Sequence, residues 1–279
     1  MHLPTGRHAE LVLPELETHF ILSITDGLLI LVHEQTRAMR LFNPLTRCMS
    51  ADFPPTLLEI RKMSCYAITA VAPSRSIVEQ PILMIALDNG NVAYFAKPGD
   101  QTTLQIQLPF CITSALFFKD GFYCTDKEGS IWEIKPDQKS VKCVFYHDID
   151  GRSWHLVQSR TGMLFIDFCP RSAGTCNDAF RKLNVFKFDL NANTIIPTND
   201  IGDCTIFVGL KQRALLVTPT KISIKRNSIY ISYAPSFIYH LKDRSTESNE
   251  KLHKLIYCPN IMMNLGVGLM CMVCPSSPN

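Results

Sequence analysis

The sequence predicts an all-β fold, and three observations carry that prediction. No stretch of a dozen or more residues keeps a 3.6-residue apolar period between helix caps, so helix is expected only in short pieces such as Thr56 to Lys62. Short apolar segments separated by Gly, Pro, Asn and Asp turns fall into groups that begin near residues 21, 65, 112, 154 and 204, at gaps of 44, 47, 42 and 50. A corner turn returns in four of these groups, at Asn43-Pro44, Pro98-Gly99, Pro136-Asp137 and Leu190-Asn191, each shortly after an aromatic (Phe42, Phe95, Trp132, Phe188). A period in the forties with about four short strands per period is the mark of a propeller blade. One such sheet cannot bury both faces alone, and stacking blades around an axis buries them and leaves only short edges. The expected architecture is a β-propeller of about six four-stranded blades, the first incomplete.

In order, residues 1–20 hold one strand-like piece, Ala9 to Leu13, ended by Pro14, and are expected to form the partial first blade. Ser23 to Pro55 reads as three or four strands: Asp26-Gly27 turns the chain, Leu28 to His33 is apolar, and Arg37 to Phe42 alternates. The turn Asn43-Pro44-Leu45-Thr46 then leads to a short strand ending on Pro54-Pro55. The next group holds Tyr66 to Val71, Pro81 to Leu87, Val92 to Ala96 and Leu104 to Leu108, with Asp88-Asn89-Gly90 as a hairpin turn of the positive-φ kind. The most regular group is Ile112 to Phe118, Phe122 to Thr125, Ser130 to Ile134 and Val141 to Tyr146. Its turns are at Asp120-Gly121, Lys127-Glu128-Gly129 and Lys135-Pro136-Asp137-Gln138. His155 to Gln158, Met163 to Phe168, Leu183 to Phe188 and Thr194 to Ile196 follow, interrupted by an insertion at Pro170 to Lys182. The last group holds Cys204 to Val208, Ala214 to Thr218, Ser228 to Tyr233 and Phe237 to Leu241. A propeller domain is thus expected over residues 1–250, with 251–279 a divergent tail that could close the ring.

The 279 residues suffice to bury roughly 75% of the unfolded surface without metal or disulfide staples. An apolar fraction of 46% and a charged fraction of 19% describe a globular chain. Net charge is +3, too small to imply nucleic acid, but residues 1–150 carry −4 and residues 151–279 carry +7. Lys221, Lys225 and Arg226 form a local basic cluster, read chiefly as solvated strand edge, where Lys also blocks edge pairing, and secondarily as a face for an acidic partner. Eleven scattered cysteines and an N-terminal stretch lacking a signal-peptide core point to a reducing compartment, cytoplasmic or nuclear. Cys271 and Cys274 make the only CxxC, and His253 and Cys258 do not complete zinc-finger spacing. The apolar run Ile261 to Cys274 falls short of the roughly 20 residues a membrane span requires.

Several stretches resemble a known family. Phe42-Asn43-Pro44-Leu45-Thr46-Arg47 followed by Phe53-Pro54-Pro55 is similar to the "LNPLTG … LPP" signature of the plant F-box-associated, KIB-type β-propeller family. So are Leu13-Pro14-Glu15-Leu16, Ile201 to Gly209, Asn227-Ser228-Ile229-Tyr230 and Ile238 to Asp243, spread over about residues 9 to 250. The resemblance implies a domain of unknown function whose members commonly carry an F-box that docks a Skp-type adaptor of a ubiquitin ligase, with the propeller holding the substrate. A few relatives instead bind and inhibit a glycogen-synthase-kinase-type kinase. The chain departs from the pattern in lacking an F-box, in carrying Arg244 where relatives have Gly after the Asp, and in its last thirty residues.

Motifs for chemistry are sparse. The sequence holds no GxxxxGK[ST], GxGxxG or GxSxG, and His33-Glu34 lacks the second His of a zincin motif. Ser153 and His155 are two residues apart on an expected strand with no third partner to complete a triad. Trp132, Trp154, Phe117, Phe118, Phe122 and Tyr123 are expected to pack between blades, while the insertion Pro170 to Lys182 is a candidate binding loop. No catalytic, cofactor-binding or metal-binding residue is assigned. The expected function is a non-enzymatic protein-interaction module, like the substrate-recognition propeller of F-box proteins but without the F-box. The alternatives are a kinase-binding inhibitor and, less favoured, a propeller enzyme. No cofactor, nucleic acid or membrane partner is expected.

Overall fold

Runs of apolar and β-branched residues between turn residues form short strands throughout a computed structural model of the chain, which describes residues 13–25, 27–44, 46–55, 67–73, 80–87, 90–147, 153–159, 162–168, 183–208, 214–219, 224–231 and 237–248. The fold is an all-β propeller with no α-helix among these residues; a single 3-10 turn spans Pro14–Glu17.

Glu15–Pro197 is one unit of four antiparallel sheets. The first holds β1 (His19–Thr25), β2 (Leu28–His33) and β3 (Met39–Phe42); the second β4 (Ala67–Ala72), β5 (Ile82–Leu87), β6 (Val92–Ala96) and β7 (Leu104–Gln107). The third holds β8 (Ser114–Phe118), β9 (Gly121–Thr125), β10 (Ile131–Lys135) and β11 (Ser140–Phe145); the fourth β12 (Ser153–Gln158), β13 (Met163–Phe168), β14 (Asn184–Asp189) and β15 (Thr194–Pro197). Every sheet is a meander in chain order. The first strands of successive sheets meet: β1 packs on β4, β4 on β8, and β8 on β12.

Alternation along these strands sends side chains into two different cores. On β5, Met84 and Ala86 enter the core shared with the third sheet, while Leu83 and Ile85 enter the core shared with the first. On β9, Phe122 and Cys124 face the second sheet, and Tyr123 faces the fourth. Burial on both faces explains why these strands read as continuous apolar runs rather than as half-polar ones. Trp154 fills the core between the third and fourth sheets: its ring stacks on Phe165 (5.1 Å, 11°) and its Nε1 donates to the Lys127 carbonyl at 3.0 Å.

In the second unit the described strands follow Thr198. They are β16 (Thr205–Val208), β17 (Leu215–Val217), β18 (Ser228–Ile231), β19 (Phe237–His240) and β20 (Thr246–Ser248), in the order β17-β16-β18-β19-β20. β16 and β18 pair in parallel, Thr205 opposite Ser228, because β17 occupies one side of β16 and the returning chain takes the other. Asn227 opens β18 at φ 50°, a left-handed conformation that Asn tolerates. Its side chain accepts from the Ile201 amide at 2.9 Å and donates to the Asn199 carbonyl at 3.1 Å, while its own amide donates to the Cys204 carbonyl at 2.8 Å. That explains physically the Asn227-Ser228 signature.

Four expectations are corrected. The described residues form five blade sheets, not about six. The expected strand Ala9 to Leu13 lies outside them except for Leu13, and Pro14–Glu17, where Pro supplies no backbone donor to a ladder, is a 3-10 turn. The sheets are not uniformly four-stranded. After β3 the described residues make only isolated bridges, Phe42 to Met49 and Met39 to Phe53, and the last sheet gains β20. Gly90 is not at positive φ; it is confined because a Cβ there would lie 2.9 Å from the Leu87 carbonyl oxygen. The β8–β9 turn is Lys119-Asp120, with Lys119 at φ 53° and Gly121 already paired with Phe118. Thr56 to Lys62, Pro170 to Lys182, the CxxC and residues 251–279 lie outside the described residues.

Candidate functional site

At one end of the second and third sheets, the connections β4–β5, β6–β7, β8–β9 and β10–β11 border a cleft of about 720 Å³. Its floor is apolar: Ile82, Phe95, Leu104, Phe117 and Phe122. Phe122 sits between two edge-on partners, Phe95 (5.1 Å, 71°) and Phe117 (5.0 Å, 62°), so the aromatic wall is fixed by its own packing. The opening follows from side-chain size. Ala70, Ala72, Ala86 and Ala93 face the third sheet, and Ala115 faces back. Elsewhere in this interface Phe110 stacks on Trp132 (4.4 Å, 23°) and fills the gap, whereas Ala72 lies at the cleft itself.

The rim is charged. Lys97, Asp100, Asp120 and Asp137 line the cleft, and all four are exposed. Asp100 is placed by its own turn: its Oδ2 accepts from the Lys97 amide at 2.7 Å, Gly99 supplies φ 85°, and the Gly99 amide donates to the Asp52 carbonyl at 2.8 Å. Asp120 follows Lys119, whose Nζ lies 5.8 Å from the centre of the Phe118 ring, and that ring packs toward the fourth sheet. Asp137 sits in the Pro136–Lys139 turn, closed by the Lys139 amide on the Pro136 carbonyl at 3.2 Å, and makes no hydrogen bond or ion pair among the described residues. Among the described residues, three carboxylates and one ammonium thus line the rim of an apolar floor.

Other polar groups are engaged in holding blades together. Asp126 is buried and accepts from the Ser130 amide (2.7 Å) and Trp132 Nε1 (2.8 Å), locking the β9–β10 turn. His19 Nδ1 donates to the Glu15 carbonyl at 3.0 Å, and its ring meets His33 edge-on at 4.9 Å; burial pushes its pKa down. Arg40 pairs with Asp52, and that hydrogen bond holds the Asp52 carboxyl below the usual carboxylate range. Burial pushes the Tyr123 hydroxyl and the Cys124 thiol up.

Of the residues singled out in the sequence, Trp132, Trp154, Phe117, Phe118, Phe122 and Tyr123 all pack between sheets. Phe117 and Phe122 also form the cleft floor, a role the sequence did not reveal. The available signal was the return of Asp in turns at one end of successive hairpins: Asp100, Asp120 and Asp137. His155 is buried, and its pKa is lowered to about 4 by burial, so its ring is neutral within the core. In the basic cluster Lys225 pairs with Glu247, and Arg226 with Asp203 at 3.0 Å, which favours the solvated-edge reading; Lys221 lies outside the described residues. Cys48, Cys111, Cys124, Cys143 and Cys204 carry no disulfide. Among the described residues no three His, Cys, Asp or Glu gather into a metal-binding group, and no helix is long and apolar enough to cross a membrane.

Comparison with solved structures finds distant likenesses. An oligogalacturonate lyase in complex with manganese matches at TM-score 0.42 and 10% identity, over 83% of this chain and 63% of that one. BBS1N in complex with ARL6DN, soaked with mercury, matches at TM-score 0.42 and 10% identity, over 84% and 66%. The Neurospora crassa Pan2 WD40 domain matches at TM-score 0.37 and 11% identity, over 62% and 49%. The chain spans about half to two thirds of these structures' own lengths, and likenesses this distant carry nothing about activity. No curated protein matches the sequence. The profile of the KIB1-4 beta-propeller matches residues 1–257, nearly the whole chain, with the blade sheets and the Asn43 and Asn227 turns inside the match. The chain belongs to the KIB1-4 β-propeller family.

Proposed function

We propose that this chain is a non-enzymatic protein-interaction module that holds a partner at the cleft between its second and third blades. The observation that carries this reading is the cleft itself: a pre-packed apolar floor that reaches the surface at Ile82, Leu104 and Phe117, rimmed by exposed charges on turns. Concave apolar surface with a few placed polar groups is what binding sites are made of, and turns on a rigid scaffold commonly carry binding. Family membership supports an interaction role, and a substrate-recognition role like that of F-box-associated propellers, in the cytoplasm or nucleus, is part of the reading.

The test is site-specific photo-crosslinking in native extract. A photoreactive side chain is placed at Gln80 or Asp137, both lining the cleft, and, as control, at Ile196 on the outer strand β15. The reading expects discrete protein adducts from the two cleft positions and none from Ile196. Adducts at Ile196 alone, or none at any position, overturn it. Identification of the adducts then separates a ubiquitin-ligase substrate, a glycogen-synthase-kinase-type kinase and other proteins.

A further inference from the structure

The cleft's charge and floor together specify more than a generic partner. We infer that it selects an arginine side chain presented on an exposed segment of the partner protein. This inference rests on the interaction reading above.

Three features argue for it. First, among the described residues the rim carries Asp100, Asp120 and Asp137 against Lys97, an excess of carboxylates that attracts a cation. Second, the wall beneath the rim is aromatic. A guanidinium stacks on an aromatic face while its edge donates to carboxylates, and Phe117, the partly exposed ring of the three, lies within the same cleft as the acids, backed by the buried Phe122 and Phe95. An ammonium is a compact, strongly hydrated point charge that loses more on entering such a wall, which favours Arg over Lys. Third, the acids come from turns on three separate hairpins: β6–β7, β8–β9 and β10–β11. Carboxylates on independent elements around one concavity suit the planar fork of Arg, which can bond two acceptors at once. Asp137 is open to such a bond, and Asp100 is held in position by the Lys97 amide.

The occupant is a protein segment rather than a small metabolite because the rim is exposed and spread over four connections, which leaves both ends of a passing chain in solvent. Ile82 and Leu104 flank the aromatic wall and would take an aliphatic residue next to the arginine. About 720 Å³ accommodates two or three side chains, not one.

The test uses the whole chain and a peptide array. Each probe carries a central Arg flanked by Leu, with matched arms in which that Arg is citrulline, Lys or Glu. Citrulline keeps the shape and removes the charge. The expected result is binding of the Arg probe at least tenfold tighter than the citrulline probe, with Lys intermediate and Glu undetected. Asp137→Asn and Asp100→Asn should each weaken the Arg probe about threefold to tenfold and leave the citrulline probe unchanged. Both are exposed turn residues, and unchanged melting temperatures would show that the variants fold. Asp203→Asn, which is not among the cleft-lining residues, should leave all probes unchanged. Equal binding of the Arg and citrulline probes, or equal binding by wild type and both Asp variants, overturns the arginine assignment. Crosslinks at Gln80 or Asp137 to a protein whose binding ignores these variants would sink this inference and leave the interaction reading standing. Absence of any crosslink would sink the reading itself.

Discussion

Gly129 and Gly99 provide a controlled pair for the packing of Trp154. Both adopt positive φ, 91° and 85°, in turns of neighbouring sheets. A Cβ at Gly99 would meet nothing within 4 Å, while one at Gly129 would lie 2.6 Å from Cε2 and 2.7 Å from Cζ2 of Trp154. The ring cannot yield, because it stacks on Phe165 and donates to the Lys127 carbonyl. Gly99→Ala therefore carries backbone strain alone, about 1–2 kcal/mol for an L-residue forced left-handed. Gly129→Ala carries the same strain plus overpacking of about 1–3 kcal/mol, for a total of about 2–5 kcal/mol. In urea unfolding followed by tryptophan fluorescence, with a slope of about 3 kcal/mol/M, Gly99→Ala should lower the midpoint by about 0.3–0.7 M and Gly129→Ala by about 0.7–1.7 M. Equal shifts for the two variants would refute the claim that Trp154 packs over Gly129.

Four further outcomes are expected. Arg244→Gly should stabilise the chain by up to about 1 kcal/mol in a thermal melt, because Arg244 sits at φ 57° and Gly relieves strain that outweighs its added unfolded-state entropy. Asn227→Ala should destabilise by about 2–3 kcal/mol in the same melt, since it removes two side-chain hydrogen bonds and puts Ala in a left-handed turn. Trp132→Phe should cost about 1–3 kcal/mol in urea unfolding, leaving buried Asp126 without the indole donor. Burial lowers the His155 pKa from 6.5 to about 4, so the unfolded chain binds the extra proton first. Stability should thus fall as pH drops from about 6.5 toward 4, by about 3 kcal/mol from this group. In His155→Gln that part of the pH slope should disappear; an unchanged slope would contradict a neutral buried ring.

Much of the blade pattern was legible because strands buried on both faces leave unbroken apolar runs and turns leave Gly, Pro, Asn and Asp. Met163 to Phe168 and Val92 to Ala96 are strands with the expected ends. What the sequence concealed lay where one residue does two things. Gly90 looked like a turn glycine and is instead confined by the Leu87 carbonyl. Lys119, Lys139 and Arg244 occupy left-handed positions where residue type gives no hint, because the surrounding ladder holds them there. Arg244 looked like a departure from the family pattern, yet the turn forms around it: the His240 amide donates to the Ser245 carbonyl at 2.9 Å, and Asp243 Oδ1 accepts from the Ser245 amide at 3.0 Å. β20 was missed because Thr246-Glu247-Ser248 is polar and short and, among the described residues, pairs on one side, with β19. The cleft was illegible for another reason. It depends on small residues of one sheet facing another, Ala72 among them, a property of sheet stacking that no local window contains.

Hydrogen–deuterium exchange on the chain with and without its crosslinked partner decides whether the cleft holds that partner. Amide exchange should slow on partner addition in the Lys97–Gly99, Lys119–Asp120 and Asp137–Lys139 turns around the cleft, with Thr194–Pro197 unchanged. Protection confined to β15 or to the strands after Thr198, with those turns unaffected, would contradict it.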